Sequence, residues 1–165
     1  MTSRISYRPA TAADYDAILA LNTAAVPSVN LIAADVLSGL HRQAVALLVG
    51  EDCAVSNSVT GFVLALDETS DYDSVNYTYF QENYPQFVYV DRIVVSPQYQ
   101  QLGIGRHFYE RLFNLAAGKP VTCEVNLLPP NPNSLAFHKR LGFVQVAEQD
   151  TEGGSKRVAL MVRNP

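Results

Sequence analysis

Residues 88–118, VYVDRIVVSPQYQQLGIGRHFYERLFNLAAG, decide how this chain is read. The stretch opens with a run of β-formers interrupted only by Asp91 and Arg92. Pro97 stops the strand, and a short polar turn leads to Gly103-Ile104-Gly105. Leu102, Ile104, Phe108, Leu112, Phe113 and Leu115 then fall at helical spacings as far as Gly118. A strand, a turn and a glycine-rich helix start form a device for holding an anion. The first amides of the helix have no partner inside it, the helix dipole adds partial positive charge, and glycines admit a phosphate close to the backbone. No Gly-Lys-Ser/Thr follows, so this is not a P-loop, and the three-glycine dinucleotide fingerprint is absent.

Gln100-Gln101-Leu102-Gly103-Ile104-Gly105 resembles the acyl-CoA signature Gln/Arg-x-x-Gly-x-Gly/Ala of the GCN5-related N-acetyltransferase (GNAT) superfamily. Downstream, Asn133-Ser134-Leu135-Ala136-Phe137-His138-Lys139-Arg140-Leu141-Gly142-Phe143 resembles that superfamily's second motif. The two with their flanks cover roughly the last half of the chain, and their order is specific for fold and cofactor but not for acceptor. The resemblance implies an α/β fold (α+β in some schemes). Its sheet is mixed and mostly antiparallel, with six to seven strands flanked by about four helices. It also implies that the strands beginning near Val88 and Val121 splay apart, with acyl-CoA in the opening.

Composition agrees with one domain over residues 1–165 and a sizeable core. Hydrophobic residues make up 48%, and mean hydropathy is near zero at +0.02, the balance of a soluble globular chain. A net charge of −4 with scattered Lys and Arg offers no basic stripe for nucleic acid. The start, MTSRISYRP, has no apolar signal core, and no run is long enough to span a membrane. Cys53 and Cys123 have neither metal-like nor redox spacing, as expected for free thiols in a reducing cytoplasm. The three histidines lack metal-ligand spacing, so no metal is expected.

Along the chain, Ile5–Arg8 reads as a strand ended by Pro9, and Thr11 with Asp14 as a capping-box start for a helix burying Tyr15, Ile18, Leu19 and Leu21. A second short helix is expected over 33–40, and the segment between the two lies near the acceptor groove by resemblance. Residues 44–49 and 59–66 read as an antiparallel hairpin across the polar 51–58 turn. Residues 67–86 are polar, lack a sustained period and carry Tyr72, Tyr77, Tyr79, Phe80 and Tyr84. They read either as a long lid over the acceptor, with Tyr79, Phe80 and Tyr84 against the substrate, or as a cover for the sheet edge or a subunit contact. Residues 121–127 read as a strand and 128–132 as a rigid proline connector; Asn133 or Ser134 then caps a helix ending at Gly142. Residues 143–147 and 158–162 close the chain as a hairpin.

By resemblance, backbone amides of Gln101 to Arg106, with Gln100 opening the motif, receive the pyrophosphate of acetyl-CoA. Backbone at Ile93, Val94 and Val95 pairs with the pantetheine arm, and Asn133 and Ser134 match polar positions along the arm. The Arg106 side chain is read either as a phosphate contact or as a solvent-facing helix residue. Acetyl transfer to an amine needs a proton acceptor for the nucleophile and a proton for the departing thiolate. Asp91 and Glu124 are carboxylates embedded in β-forming runs, which makes each a candidate base or ammonium anchor, or alternatively an ion-paired or structural group. Asn126 shares the Glu124 face and either orients substrate or satisfies backbone. His138 stands five residues before Phe143, where many superfamily members place a general-acid tyrosine at the sulfur. Imidazole there is a candidate acid, or a structural histidine. The preferred activity is direct acetyl transfer from acetyl-CoA to the amine of a small molecule, releasing coenzyme A; a homodimer is common in the family. The alternative is an acyl-CoA-binding regulatory or structural protein without efficient transfer.

Overall fold

The computed structural model describes residues 4–56 and 58–165. The first three residues of the MTSRISYRP start, and Asn57 within the 51–58 turn, lie outside the described residues. Seven strands form one sheet: β1 (Ile5–Pro9), β2 (Ala46–Asp52), β3 (Val59–Asp67), β4 (Val88–Val95), β5 (Val121–Leu128), β6 (Val144–Thr151) and β7 (Lys156–Arg163), in the order β1-β2-β3-β4-β5-β7-β6. The pairs β1–β2, β2–β3, β5–β7 and β6–β7 are antiparallel, whereas β4–β5 is parallel. A parallel neighbour requires a crossover, and the long central helix supplies it. Among the described residues five α-helices accompany the sheet, α1 (Tyr15–Ala24), α2 (Ala34–Gln43), α3 (Val75–Asn83), α4 (Ile104–Ala116) and α5 (Pro132–Arg140), in keeping with the expected fold. Among the described residues no helix is long and apolar enough to cross a membrane.

The chain divides into two compact units, Met1–Ala65 with Arg92–Arg111, and Leu66–Asp91 with Leu112–Pro165. In the first unit, the capping box at Thr11 forms, with the Thr11 amide donating to Asp14 Oδ2 at 2.7 Å. Two Arg8 nitrogens grip the same carboxylate at 2.8 Å and hold Asp14 down at about 2. Buried Arg92 donates to Asn22 Oδ1 and Asn30 Oδ1, both at 2.9 Å, tying the segment after α1 to β4. Tyr7 stacks on His107 with ring centroids 3.9 Å apart. Gly61 on β3 permits a close strand approach: a Cβ there would stand 2.6 Å from the Val94 carbonyl oxygen.

In the second unit the 67–86 segment, expected as an irregular connection that is either a lid or a cover, contains a helix. Its middle is α3, capped by Ser74, whose hydroxyl accepts from the Tyr77 amide at 3.4 Å. The buried positions are Asn76, Tyr77 and Phe80, while Val75 is 54% exposed. Apolar periodicity is absent because the buried face carries an asparagine and a tyrosine and the open face carries a valine. Tyr77 is satisfied by the carbonyls of Asp67 at 2.6 Å and Ser70 at 3.0 Å. With Tyr72, Phe80, Phe87 and Tyr89 it forms an aromatic cluster with neighbouring centroids 5.4–6.3 Å apart. The cap of α5 also differs from expectation. Asn131 accepts from the Ser134 amide at 3.2 Å, so Pro132 belongs to the first turn and Asn133 and Ser134 lie inside the helix. Gly142 follows at φ +90°, a left-handed position as expected. The expected α2 runs on to Gln43, and the strands of the final hairpin are longer than their apolar cores.

Candidate active site

The first unit carries the residues expected on the donor side, save those of α5. Of the β4 residues expected along the pantetheine arm, Val94 is buried, and Ile93 and Val95 are half-buried on the opposite face. Pro97–Tyr99 forms a single 3-10 turn, after which Gln101 (φ +65°) and Gly103 (φ +80°) adopt left-handed conformations on either side of Leu102. Alternating backbone handedness points successive amides into one concavity, an arrangement suited to anions. The first α4 hydrogen bond runs from His107 N to Gly103 O at 2.9 Å, so the amides of Ile104, Gly105 and Arg106 precede the helix's own ladder. A Cβ at Gly103 would meet nothing within 4 Å, leaving open space at the helix start. These features fit a pyrophosphate. Gln100 donates through Nε2 to the Val95 carbonyl at 3.4 Å, so its side chain links the loop to β4. Leu102, expected on the apolar side of the helix, is 59% exposed, and Ile104 instead begins the buried face. Arg106 is exposed and its Nε pairs with Glu110 at 2.8 Å.

The second unit holds the two carboxyl groups expected as base or ammonium anchor. Tyr89 and Asp91 on β4 point to one face, and Thr122, Glu124 and Asn126 on β5 share it through the parallel register Tyr89↔Thr122. That ladder has three pairs, Val88↔Val121 to Val90↔Cys123. Fully buried Tyr89 donates its hydroxyl to Glu124 Oε2 at 2.6 Å. The Asn76 side chain, from α3, adds a second hydrogen bond to the same carboxylate. Burial pushes the Glu124 carboxyl up to about 7 and the charge of Asp91 adds to the rise, while Tyr89, Asn76 and the more distant Lys156 offset part of it. Burial and then the Glu124 charge raise the Tyr89 phenol well above its ordinary range, so it stays protonated as a donor. Sequence reading selected Asp91 and Glu124 but missed Tyr89, which passes as an ordinary β-former, and Asn76, hidden in the polar 67–86 segment.

His138 is buried, flanked edge-on by Phe137 and Phe143 at 5.2 and 5.4 Å. Its Nδ1 lies 2.8 Å from the Ser134 carbonyl oxygen. A carbonyl only accepts, so Nδ1 carries the hydrogen, and in the neutral ring Nε2 is an acceptor. Burial lowers the His138 pKa, favouring that neutral form. A thiolate needs a donor, so these surroundings weigh against the acid role that the resemblance implies. Ser134 is engaged by Asn131 and His138, and Asn133 is exposed. Among the expected acceptor contacts, Phe80 is corrected: it is fully buried against Phe87 and Tyr89 and presents no surface to a substrate. Tyr79 and Tyr84 are half-buried beside it. Asn126 is buried, and its carbonyl accepts the Asn131 amide at 3.1 Å, bracing the entry to α5.

The model of the acetyltransferase (GNAT) family matches residues 29–143, and the chain belongs to that family. It is therefore an N-acetyltransferase with acetyl-CoA as the acyl donor. Comparison with curated proteins finds no match. Among solved structures the chain is similar to Ard1 from Thermoplasma volcanium, at 17% identity, covering 98% of each chain with a TM-score of 0.77. It is also similar to Arabidopsis thaliana NAA60 in complex with a bisubstrate analogue, at 15% identity, 97% of each chain and 0.78. The third is yncA, a putative acetyltransferase from Salmonella typhimurium with its cofactor acetyl-CoA, at 22% identity, 98% of this chain and 94% of that one, and 0.71. At these identities the likeness is one of fold.

Proposed function

We propose that this enzyme acetylates a primary amine directly, with Glu124 as the general base. The observation that carries the proposal is the Tyr89–Glu124 pair: a carboxyl poised near 7 and fixed at 2.6 Å by a buried phenol. Such a group accepts a proton at neutral pH more readily than an ordinary carboxylate and still ionises there. Bound acetyl-CoA supplies the activated thioester. The attacking amine forms the new N–C bond as the C–S bond breaks. Its proton passes to Glu124, and the sulfur leaves as the coenzyme A thiolate, which takes up a proton from water as Glu124 returns its own to solvent. The amides of Gln101 to Arg106 hold the donor's pyrophosphate, and Asp91 attracts the acceptor's ammonium form. His138, neutral and tied to Ser134, orients α5 rather than protonating sulfur.

The rings of α3 at Tyr77 and Phe80 are packed inward and form no aromatic lid over a small acceptor. Similarity over nearly the whole chain to Arabidopsis thaliana Naa50 in complex with the bisubstrate analogue CoA-Ac-MVNAL favours a peptide α-amino group as acceptor. A small free amine is the second reading, supported by the acidic Asp91 and Glu124 alone. Thiol release from acetyl-CoA against tetrapeptides with different first residues, run beside polyamines and amino acids, tests the choice. Release with peptides at least tenfold above that with free amines supports the first reading. Release confined to small amines overturns it.

A further inference from the structure

We propose that Tyr99 is a positioning residue for the donor's pyrophosphate, its hydroxyl anchoring the Gln100–Arg106 loop to Asp52. The proposal rests on the reading of that loop as the donor site. Tyr99 closes the Pro97–Tyr99 turn immediately before Gln100, and its amide donates to Ser96 O at 2.8 Å. Ser96 in turn donates to Thr60 O on β3 at 2.8 Å, so the turn is fastened to the sheet at its first residue. At its last residue the fastening is the phenol. Tyr99 Oη donates to Asp52 Oδ2 at 2.9 Å, within 3.4 Å of Ser58 Oγ.

Asp52 is built as an anchor. It stands at the end of β2, 1% exposed, and also accepts from Arg4 Nε at 2.9 Å and from the Ala54 amide at 3.0 Å. Arg4, foremost, holds its carboxyl well below the usual range, so it stays charged through the working pH. The Arg4 guanidinium also lies 5.9 Å from the centroid of the Tyr99 ring. Two residues beyond this anchor, Gln101 takes a left-handed conformation without glycine's freedom, a strained geometry that persists only when the chain on either side holds it. The sheet-side anchor comes from Tyr99 and the helix-side anchor from Gly103 and α4. Asp52 keeps its Arg4 and Ala54 donors when Tyr99 Oη is removed, so the loss falls on the loop and not on the fold.

Tyr99→Phe tests this, with calorimetric titration of coenzyme A and steady-state transfer from two donors. Coenzyme A Kd is expected to rise about tenfold, the weight of one hydrogen bond to a charged group, with Tm changed by only a few degrees. With S-acetylpantetheine, which lacks the pyrophosphate, kcat/KM is expected to be equal in the two proteins. Unchanged coenzyme A affinity overturns the proposal, and so does an equal loss with both donors, which marks Tyr99 as merely structural. Wild-type protein that fails to bind coenzyme A at all overturns the donor-site reading beneath it.

Discussion

In the proposed reaction, the loop from Gln100 to Arg106 and the cluster around Glu124 would act by opposite means. The loop would work through backbone: left-handed residues at 101 and 103 and the amides of a helix start, with Leu102 and Arg106 facing solvent and Gln100 bracing the loop. The cluster works through side chains drawn from α3, β4 and β5, and burial gives its carboxyl an altered proton affinity. A backbone site tolerates changes in side-chain chemistry but not in φ. A side-chain site is sensitive to every hydrogen bond around the titrating group.

The largest effect expected from that contrast is on Glu124. Glu124→Gln should lower kcat/KM about 10²- to 10³-fold, within the usual range for a general base, while coenzyme A affinity measured by calorimetry stays put. The same change should stabilise the protein at alkaline pH. The folded pKa of about 7 lies above the ordinary 4.5, so the wild type's extra stability is complete below about 4.5 and is lost as pH rises through 7. Relative to wild type, the variant should gain on the order of 1–3 kcal/mol at pH 8 and less at pH 5, read from urea unfolding.

Gly61→Ala probes backbone geometry. Its Cβ would overlap the Val94 carbonyl at 2.6 Å, and a loss of about 1–3 kcal/mol in unfolding free energy is expected. Retention of wild-type stability would mean that β3 and β4 separate easily. Tyr89→Phe removes a donor from the ionised Glu124 and should move the acid limb of the pH–rate profile upward by about one unit. Movement downward would show that the phenol acts chiefly on the protonated form. The smallest effect belongs to Arg106→Ala, which loses only an exposed i,i+4 pair and should cost at most about 0.5 kcal/mol of stability, with coenzyme A affinity changed less than threefold. A larger loss of affinity would return Arg106 to the phosphate contacts.

The same contrast explains what was legible in the sequence. The proposed donor loop is contiguous, and glycines announce unusual backbone, so 88–118 carried strand, turn and helix together with the expectation of an anion site. Glu124 and Asp91 stood out as charges among β-formers. Tyr89 could not, because a tyrosine in a strand needs no explanation until its neighbour across the sheet is known. Asn76 and α3 were hidden by a helix whose buried face is partly polar. The fourfold grip on Asp52 joins residues 4, 52, 54 and 99, a conjunction that only the folded chain assembles.

The most direct test of the account is the pH dependence of kcat/KM for acetyl transfer, wild type against Glu124→Gln, with one active amine acceptor. The account predicts a wild-type acid limb with a midpoint near 7 that is absent from a uniformly slow variant. A variant that keeps the same limb and wild-type rate would contradict Glu124 as the base.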